Sequence, residues 1–201
     1  MEIKDCLKES IKYDFIHFDE HIDAFISLEK LSVFISSVEK YPFDWKWAII
    51  ALHDTLQGSM VCMLRGTSIL EDVGVIYDSR DADKIKNIST IDNYVKCTVL
   101  SSMNLKLMNF LKLYNKAKTR LNIGSEYDES IKSLNDELRN NFIHFTPKGW
   151  TIGTTGLYIV FKDCICFLKI LINNSTFLNH FSNEEKEKIF NYLEEISIVV
   201  S

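Results

Sequence analysis

Apolar side chains recur every three or four residues along most of this chain, and sustained alternation of apolar and polar residues is almost absent. The first spacing places side chains on one face of an α-helix, whereas alternation is the pattern of a half-buried strand. Gly and Pro, which favour turns, number only 7 and 2 in 201 residues, and this scarcity favours long helices. The sequence predicts a single all-α domain over residues 1–201, an up-and-down helical bundle of about five to seven helices.

Two periodic segments flank Pro42, one over residues 18–38 and one over residues 45–63. Proline disfavours helix in the residue before it, and Gly66 suits the end of the second helix. These segments predict an antiparallel helical hairpin.

The middle of the chain is less regular. Residues 67–89 lack this spacing and are rich in Asp, with Gly and Ser, which predicts a long irregular or partly helical connection that resembles an insertion. Apolar residues at helical spacing return over residues 100–114 and predict another helix. Ser125-x-x-Asp128 resembles a capping signal that opens another helix, which Pro147 limits to about residue 145.

Two further helices are predicted at the C-terminal side. Residues 157–172 are apolar all round apart from three charged side chains, which is typical of a helix at the centre of a bundle. Ser182-x-x-Glu185 has the spacing of a capping box and opens the last helix.

The charge balance is 23 basic against 28 acidic residues, a net charge of -5. This excludes a generally basic nucleic-acid coat, so any nucleic-acid contact must be local. The five cysteines show no CxxC spacing, the first ten residues contain no apolar run, and no segment is long and apolar enough to span a membrane. We therefore expect a soluble, cytoplasmic protein with no membrane partner, whose cysteines are reduced and buried.

The segment LRNNFIHF, residues 138–145, carries the most chemistry. On an ideal helix with Arg139 at zero, the apolar positions fall between about 220° and 300°, whereas Arg139, Asn140 and His144 fall at about 0°, 100° and 140°. The arc that holds these three polar residues also contains the apolar Ile143, at about 40°. We expect this arc to find no partners within its own bundle, and a second copy of the same helix across a two-fold axis would cover it.

Arginine and histidine together suit metal-free cleavage of a phosphodiester. The guanidinium binds a phosphate with a fork of donors, and the imidazole exchanges a proton near neutral pH. One imidazole can withdraw the proton of a ribose 2′-OH while an arginine stabilises the charge on phosphorus.

Arg139-Asn140-x-x-x-His144 matches the R-x4-H motif, with a polar residue after the Arg, of the HEPN (higher eukaryotes and prokaryotes nucleotide-binding) superfamily. The strings LRNNFIHF and TPKGW, and ALHDTLQGSM at 51–60, resemble HEPN proteins of bacterial defence and mobile elements. The resemblance covers residues 15 to 175 and is specific only at the central motif. It implies a homodimeric all-helical bundle with a composite, metal-independent endoribonuclease site. Arg139 and His144 would be the catalytic pair, with Asn140 orienting them and no cofactor required.

Other residues are candidates for RNA binding. Lys148 and Trp150 follow the motif, where a cation and a ring could hold a phosphate and stack a base, although a tryptophan also serves as a packing anchor. His53 and Gln57 lie four residues apart and form either a hydrogen-bonded pair at a helix interface or part of an RNA cleft. Asp54 projects 100° away from His53, so no triad is predicted.

His17-Phe18-Asp19-Glu20-His21 fits the H-x-x-E-H pattern of inverted zinc proteases. The competing interpretation is a helix N-terminus, where acidic residues favour the dipole. Because no third ligand is evident in the sequence, we predict no metal site here.

The leading hypothesis is thus a HEPN-type endoribonuclease acting on tRNA or other RNA, as a toxin or an anti-phage defence effector, with an antitoxin or regulatory protein as a candidate partner. The alternative is a catalytically inactive HEPN-like helical module that binds a partner protein or a nucleotide.

Overall fold

The computed structural model describes residue 16 and residues 18–65, 106–144 and 149–201. Every regular element within these residues is helical, which confirms the predicted all-α class. The helices are α1 (Glu20–Ile35), α2 (Trp45–Arg65), α3 (Phe110–Arg120), α4 (Asp128–Lys132), α5 (Asn140–Ile143), α6 (Thr154–Asn173) and α7 (Asn183–Val199). A π-helical turn (Ser133–Arg139) joins α4 to α5, and 3-10 turns precede α2 (Pro42–Asp44) and α7 (Phe177–His180). The predicted connection at 67–89 lies outside the described residues.

The predicted hairpin is confirmed. An ion pair between Glu20 and Arg65 joins the start of α1 to the end of α2. At the other end, the rings of Phe34 and Trp47 lie 6.4 Å apart. These two contacts make α1 and α2 antiparallel. The Asp19 carboxylate caps α1 by accepting from two backbone N–H groups, as expected for an acidic residue before a helix N-terminus.

α1 and α2 approach each other closely at Gly58. A Cβ at this position would lie 2.8 Å from the Cβ of Ala24 and 3.2 Å from the carbonyl oxygen of Glu20. Carbon atoms pack without strain at about 3.5–4.0 Å. The absence of a side chain at Gly58 therefore permits the two backbones to touch.

α2 is the most enclosed helix of the described residues, with 15 of its 21 residues buried. It packs against α1, α3, α6 and the π-helical turn. The prediction that residues 157–172 form the central helix is wrong, because α6 is less enclosed than α2. It buries eight residues and leaves Ile159 59% exposed. Apolar residues all round a helix thus do not ensure burial all round.

The start of α3 also corrects the sequence analysis. Periodicity predicted a helix from residue 100, but residues 106–109 are not helical and α3 begins at Phe110. The Asn109 side chain accepts a hydrogen bond from the Lys112 N–H and caps the helix. Asn122, at φ 53°, ends α3 in the left-handed conformation that asparagine tolerates.

Of the two predicted N-terminal capping signals, one is confirmed. Ser182 and Glu185 form a reciprocal capping box at the start of α7. Ser125, by contrast, does not cap, because α4 begins at Asp128 after Tyr127 with no side-chain cap. The Asp128 carboxylate instead accepts hydrogen bonds from Lys118 and Tyr114, and these, Lys118 before Tyr114, lower the pKa of Asp128.

No helix among the described residues is long and apolar enough to cross a membrane.

Candidate functional site

Residues 128–143 form one continuous helical segment, α4 followed by the π-helical turn and α5, which we call the motif helix. Arg139 is the last residue of the π-helical turn, Asn140 the first of α5, and His144 the residue that ends the helix, with φ -96° and ψ 65°. π-Helical turns are rare and are frequent at functional sites. Because a π-helical residue turns through less than the 100° of an α-helix, the ideal projection used on the sequence misplaces the side chains around Arg139.

The apolar side of the motif helix is as predicted, with Ile131, Leu134 and Leu138 buried. The polar side is not. Arg139 and Asn140 are half-buried against other helices of their own chain, whereas His144 is exposed. Arg139 and Asn140 are thus not fully exposed as the projection implied, but the side-chain hydrogen bond that the structure gives them joins them to each other and not to another helix.

Arg139 and Asn140 line a cavity of about 310 Å³, which we call the polar cleft. His53 and Gln57 of α2 form a second wall, and Asn109 with the start of α3 forms a third. His53 and Gln57 thus lie beside Arg139 in one cavity. Sequence analysis missed Asn109 and Asn135, although Asn135 precedes Arg139 by four residues and so belongs to the same helix face.

His53 is 2% exposed and is held from three sides. Its Nε2 lies 3.1 Å from Asn135 Oδ1, its Nδ1 lies 3.3 Å from Asp54 Oδ1, and its ring stacks on Phe110 with the centroids 4.1 Å apart. Asn135 Nδ2 donates to Asp136, so Asn135 presents its oxygen to the imidazole. His53 is therefore a hydrogen-bonded interface histidine that also lines the cleft.

The contact with Asp54 corrects the sequence analysis, which set this residue aside because it projects 100° from His53. Neighbouring residues diverge at Cβ, but a carboxylate reaches back across that angle through its own rotatable bonds. The His53–Asp54 pair is thus present, whereas Asp54 does not line the polar cleft.

Arg139 has a buried hydrogen-bond donor that is not satisfied. Its Nη1 donates to Asn140 Oδ1 at 3.1 Å, and its Nε is enclosed without a hydrogen-bond partner. No carboxylate of the described residues forms an ion pair with it. A buried N–H without a partner costs about 1–3 kcal/mol, so the guanidinium would gain from an anionic acceptor in the cleft.

His144 and Trp150 do not line the polar cleft. His144 is exposed at the end of the motif helix, beside Ile143, which is 44% exposed. Trp150 is 39% exposed, and its ring lies 4.8 Å from that of Phe142. Lys148 lies outside the described residues.

The H-x-x-E-H segment forms the start of α1. Its His17 lies outside the described residues. His21 stacks on His180, with ring centroids 3.6 Å apart, and its burial, followed by the charge of His180, lowers its pKa. Among the residues that the structure describes, no three His, Cys, Asp or Glu side chains are grouped to hold a metal ion.

Comparison of the chain with protein-family models, with curated proteins and with solved structures finds no match. A function for this site must therefore be inferred from its own residues and their geometry.

Proposed function

We propose that the protein is a metal-independent endoribonuclease of HEPN type. The observation that carries this proposal is the guanidinium of Arg139, which has an enclosed Nε without a partner. The other polar walls of its cleft are amides, an imidazole and the Asp136 carboxylate, and no ion pair joins Asp136 to Arg139. Such a guanidinium binds a phosphate. His144 follows on the same helix end and is exposed to solvent, where an imidazole can exchange protons with a substrate.

The reaction is a transesterification. The His144 imidazole takes the proton of a ribose 2′-OH, and the 2′-oxygen forms a bond to phosphorus while the bond to the 5′-oxygen breaks. An imidazolium or a water protonates the departing 5′-oxygen. The products are a 2′,3′-cyclic phosphate and a 5′-hydroxyl, and Arg139 stabilises the charge on the phosphoryl oxygens.

The proposed active site forms between two copies of the chain. In one chain His144 is not a wall of the cleft that holds Arg139, and the apolar Ile143 beside it is 44% exposed. A second copy of the motif helix across a two-fold axis would cover Ile143 and bring two arginines and two histidines together. We propose tRNA or another structured RNA as substrate, a role as toxin or anti-phage effector, and control by an antitoxin or regulatory protein.

The test is incubation of the wild type with total tRNA in EDTA, followed by analysis of the RNA ends. We expect cleavage with cyclic phosphate ends by the wild type and none by His144→Ala. His180→Ala is the matched control, because it removes another exposed imidazole and should leave cleavage intact. Cleavage by His144→Ala at the wild-type rate would refute the assignment.

The second candidate is a catalytically inactive helical module that binds a partner protein or a nucleotide. The separation of His144 from the polar cleft favours it, since Arg139 with His53, Asp136 and the amides forms a cleft without His144. A folded dimer that cleaves no RNA, but whose melting temperature rises with a nucleotide and not after Arg139→Met, would establish this alternative.

A further inference from the structure

A second cavity, of about 570 Å³, lies between the segment around the 3-10 turn Pro42–Asp44, the first turn of α2 and the segment that leads into α6. Of the six exposed aromatic side chains among the described residues, four line this cavity. They are Tyr41, Phe43, Trp47 and Trp150. We call this cavity the aromatic groove.

The aromatic groove adjoins the motif helix. Phe142 of α5 lines it and contacts Trp150, with the ring centroids 4.8 Å apart and the planes at 57°. Phe142 lies three residues after Arg139 and two before His144. A chain of nucleotides that reaches the end of the motif helix would therefore meet the groove.

The lining of the groove suits nucleobases. Flat rings stack on bases of any sequence, and the described lining also supplies one cation, Lys46, whose Nζ lies 4.8 Å from the centroid of the Trp47 ring. Thr151 and Thr154 add hydroxyls that can donate to or accept from base edges. The volume falls within the range of roughly 300–1,000 Å³ that is usual for small-ligand pockets.

The charge around the groove also favours a polyanion. Although the chain carries a net charge of -5, none of the described residues that line the groove is acidic. Because the sequence holds more acidic than basic residues, we expect stacking to supply more of the RNA affinity than the phosphate charges do.

We propose that the aromatic groove binds unpaired nucleobases of a single-stranded segment of the RNA substrate and holds that segment beside Arg139 and His144. The inference rests on the proposed function and extends it, since it makes the substrate an RNA with an unpaired stretch next to the cleaved bond. A duplex cannot occupy the groove because its bases are stacked on each other.

The test measures binding in the His144→Ala background, where RNA survives. The probes are a fluorescently labelled ten-nucleotide single-stranded RNA and a blunt RNA duplex of the same sequence. Phe43→Ser and Trp47→Ala remove groove rings that are 74% and 48% exposed. Phe190→Ala is the matched control, a 45% exposed ring on α7 outside the groove. Circular dichroism verifies that each variant is folded.

We expect each groove variant to raise the Kd for the single strand by about tenfold and the control to leave it unchanged. The single strand should also quench the intrinsic fluorescence of the protein, because all three tryptophans of the chain line the groove. The duplex should bind less tightly and quench less.

Equal Kd values for the wild-type and variant grooves would overturn the inference, as would equal quenching by strand and duplex. Groove variants that sediment as monomers while binding RNA normally would assign the groove to a second copy of the chain, which also overturns it. Cleavage of tRNA by the wild type tests the proposed function separately. If cleavage persists at the wild-type rate when the groove substitutions are made in the protein that retains His144, only the groove proposal fails.

Discussion

Gly58→Ala is expected to destabilise the protein, although alanine is the better helix former. In an exposed helix this change stabilises by about 0.8–1.0 kcal/mol. At Gly58, however, the new methyl would lie 2.8 Å from the Ala24 Cβ and 3.2 Å from the Glu20 carbonyl oxygen. The first distance is about 1 Å shorter than an unstrained carbon contact, and neither neighbour is the end of a flexible side chain.

The helices α1 and α2 must therefore separate to accept the methyl. Insertions of this kind cost about 1–3 kcal/mol, and rigid neighbours place Gly58→Ala at the upper end. After the gain in helix propensity, we expect a net loss of about 1–2 kcal/mol in the free energy of unfolding. The melting temperature should fall by roughly 2–8 °C in a chain of this size.

Urea unfolding followed by circular dichroism measures the change. Gly156→Ala is the control, because a Cβ there meets nothing within 4 Å, and we expect its stability to be unchanged or raised by up to about 1 kcal/mol. Ala24→Gly in the Gly58→Ala background removes the nearest clashing atom, so the double variant should be more stable than the two single effects predict. Gly58→Ala at or above wild-type stability would refute this account of the α1–α2 contact.

Three further predictions concern a helix cap, the histidine stack and the polar cleft. Ser182→Ala should lower the free energy of unfolding by about 1 kcal/mol because it removes the cap of α7, whereas Ser125→Ala, which removes no cap, should change it by less than about 0.5 kcal/mol. Burial and the charge of His180 lower the pKa of His21 in the folded protein, so the unfolded state binds more protons and stability must fall as the pH drops below the ordinary histidine value of about 6.5. His21→Phe should flatten that part of the stability–pH curve, and an unchanged slope would contradict the stack. Arg139→Met should abolish RNA cleavage but leave the free energy of unfolding unchanged or higher by about 1 kcal/mol, because it removes an N–H without a partner; a large loss of stability would show that Arg139 is structural.

The sequence alone predicted those parts of the candidate site that depend on local spacing. Arg139 and Asn140 were identified from their motif, and His53 and Gln57 from their spacing of four on one helix. Both pairs line the polar cleft. What the spacing could not supply was the relation between the pairs. The hydrogen bond from His53 to Asn135 joins residues 82 positions apart in sequence.

The errors in the sequence analysis share a physical cause. The helical projection assumed 100° per residue throughout, but Ser133–Arg139 is π-helical, and such a turn depends on how the segment packs rather than on any residue pattern. Ser125 and Asp128 had suitable spacing for a cap, yet the Asp128 carboxylate found stronger partners in Lys118 and Tyr114. A local pattern is lost when a group from another helix offers a better contact.

The sequence by itself determined the helical class, the α1–α2 hairpin and the capping box of α7, because helix formation and capping depend on residues within about four positions of each other. Only the tertiary structure decided that α2 rather than α6 is the most enclosed helix, that Asn109 joins Arg139 in one cleft, and that four exposed aromatic rings from two separate segments share one groove. These features depend on which helix faces meet, and packing chooses among the faces by the shape and volume of the side chains that must fit together.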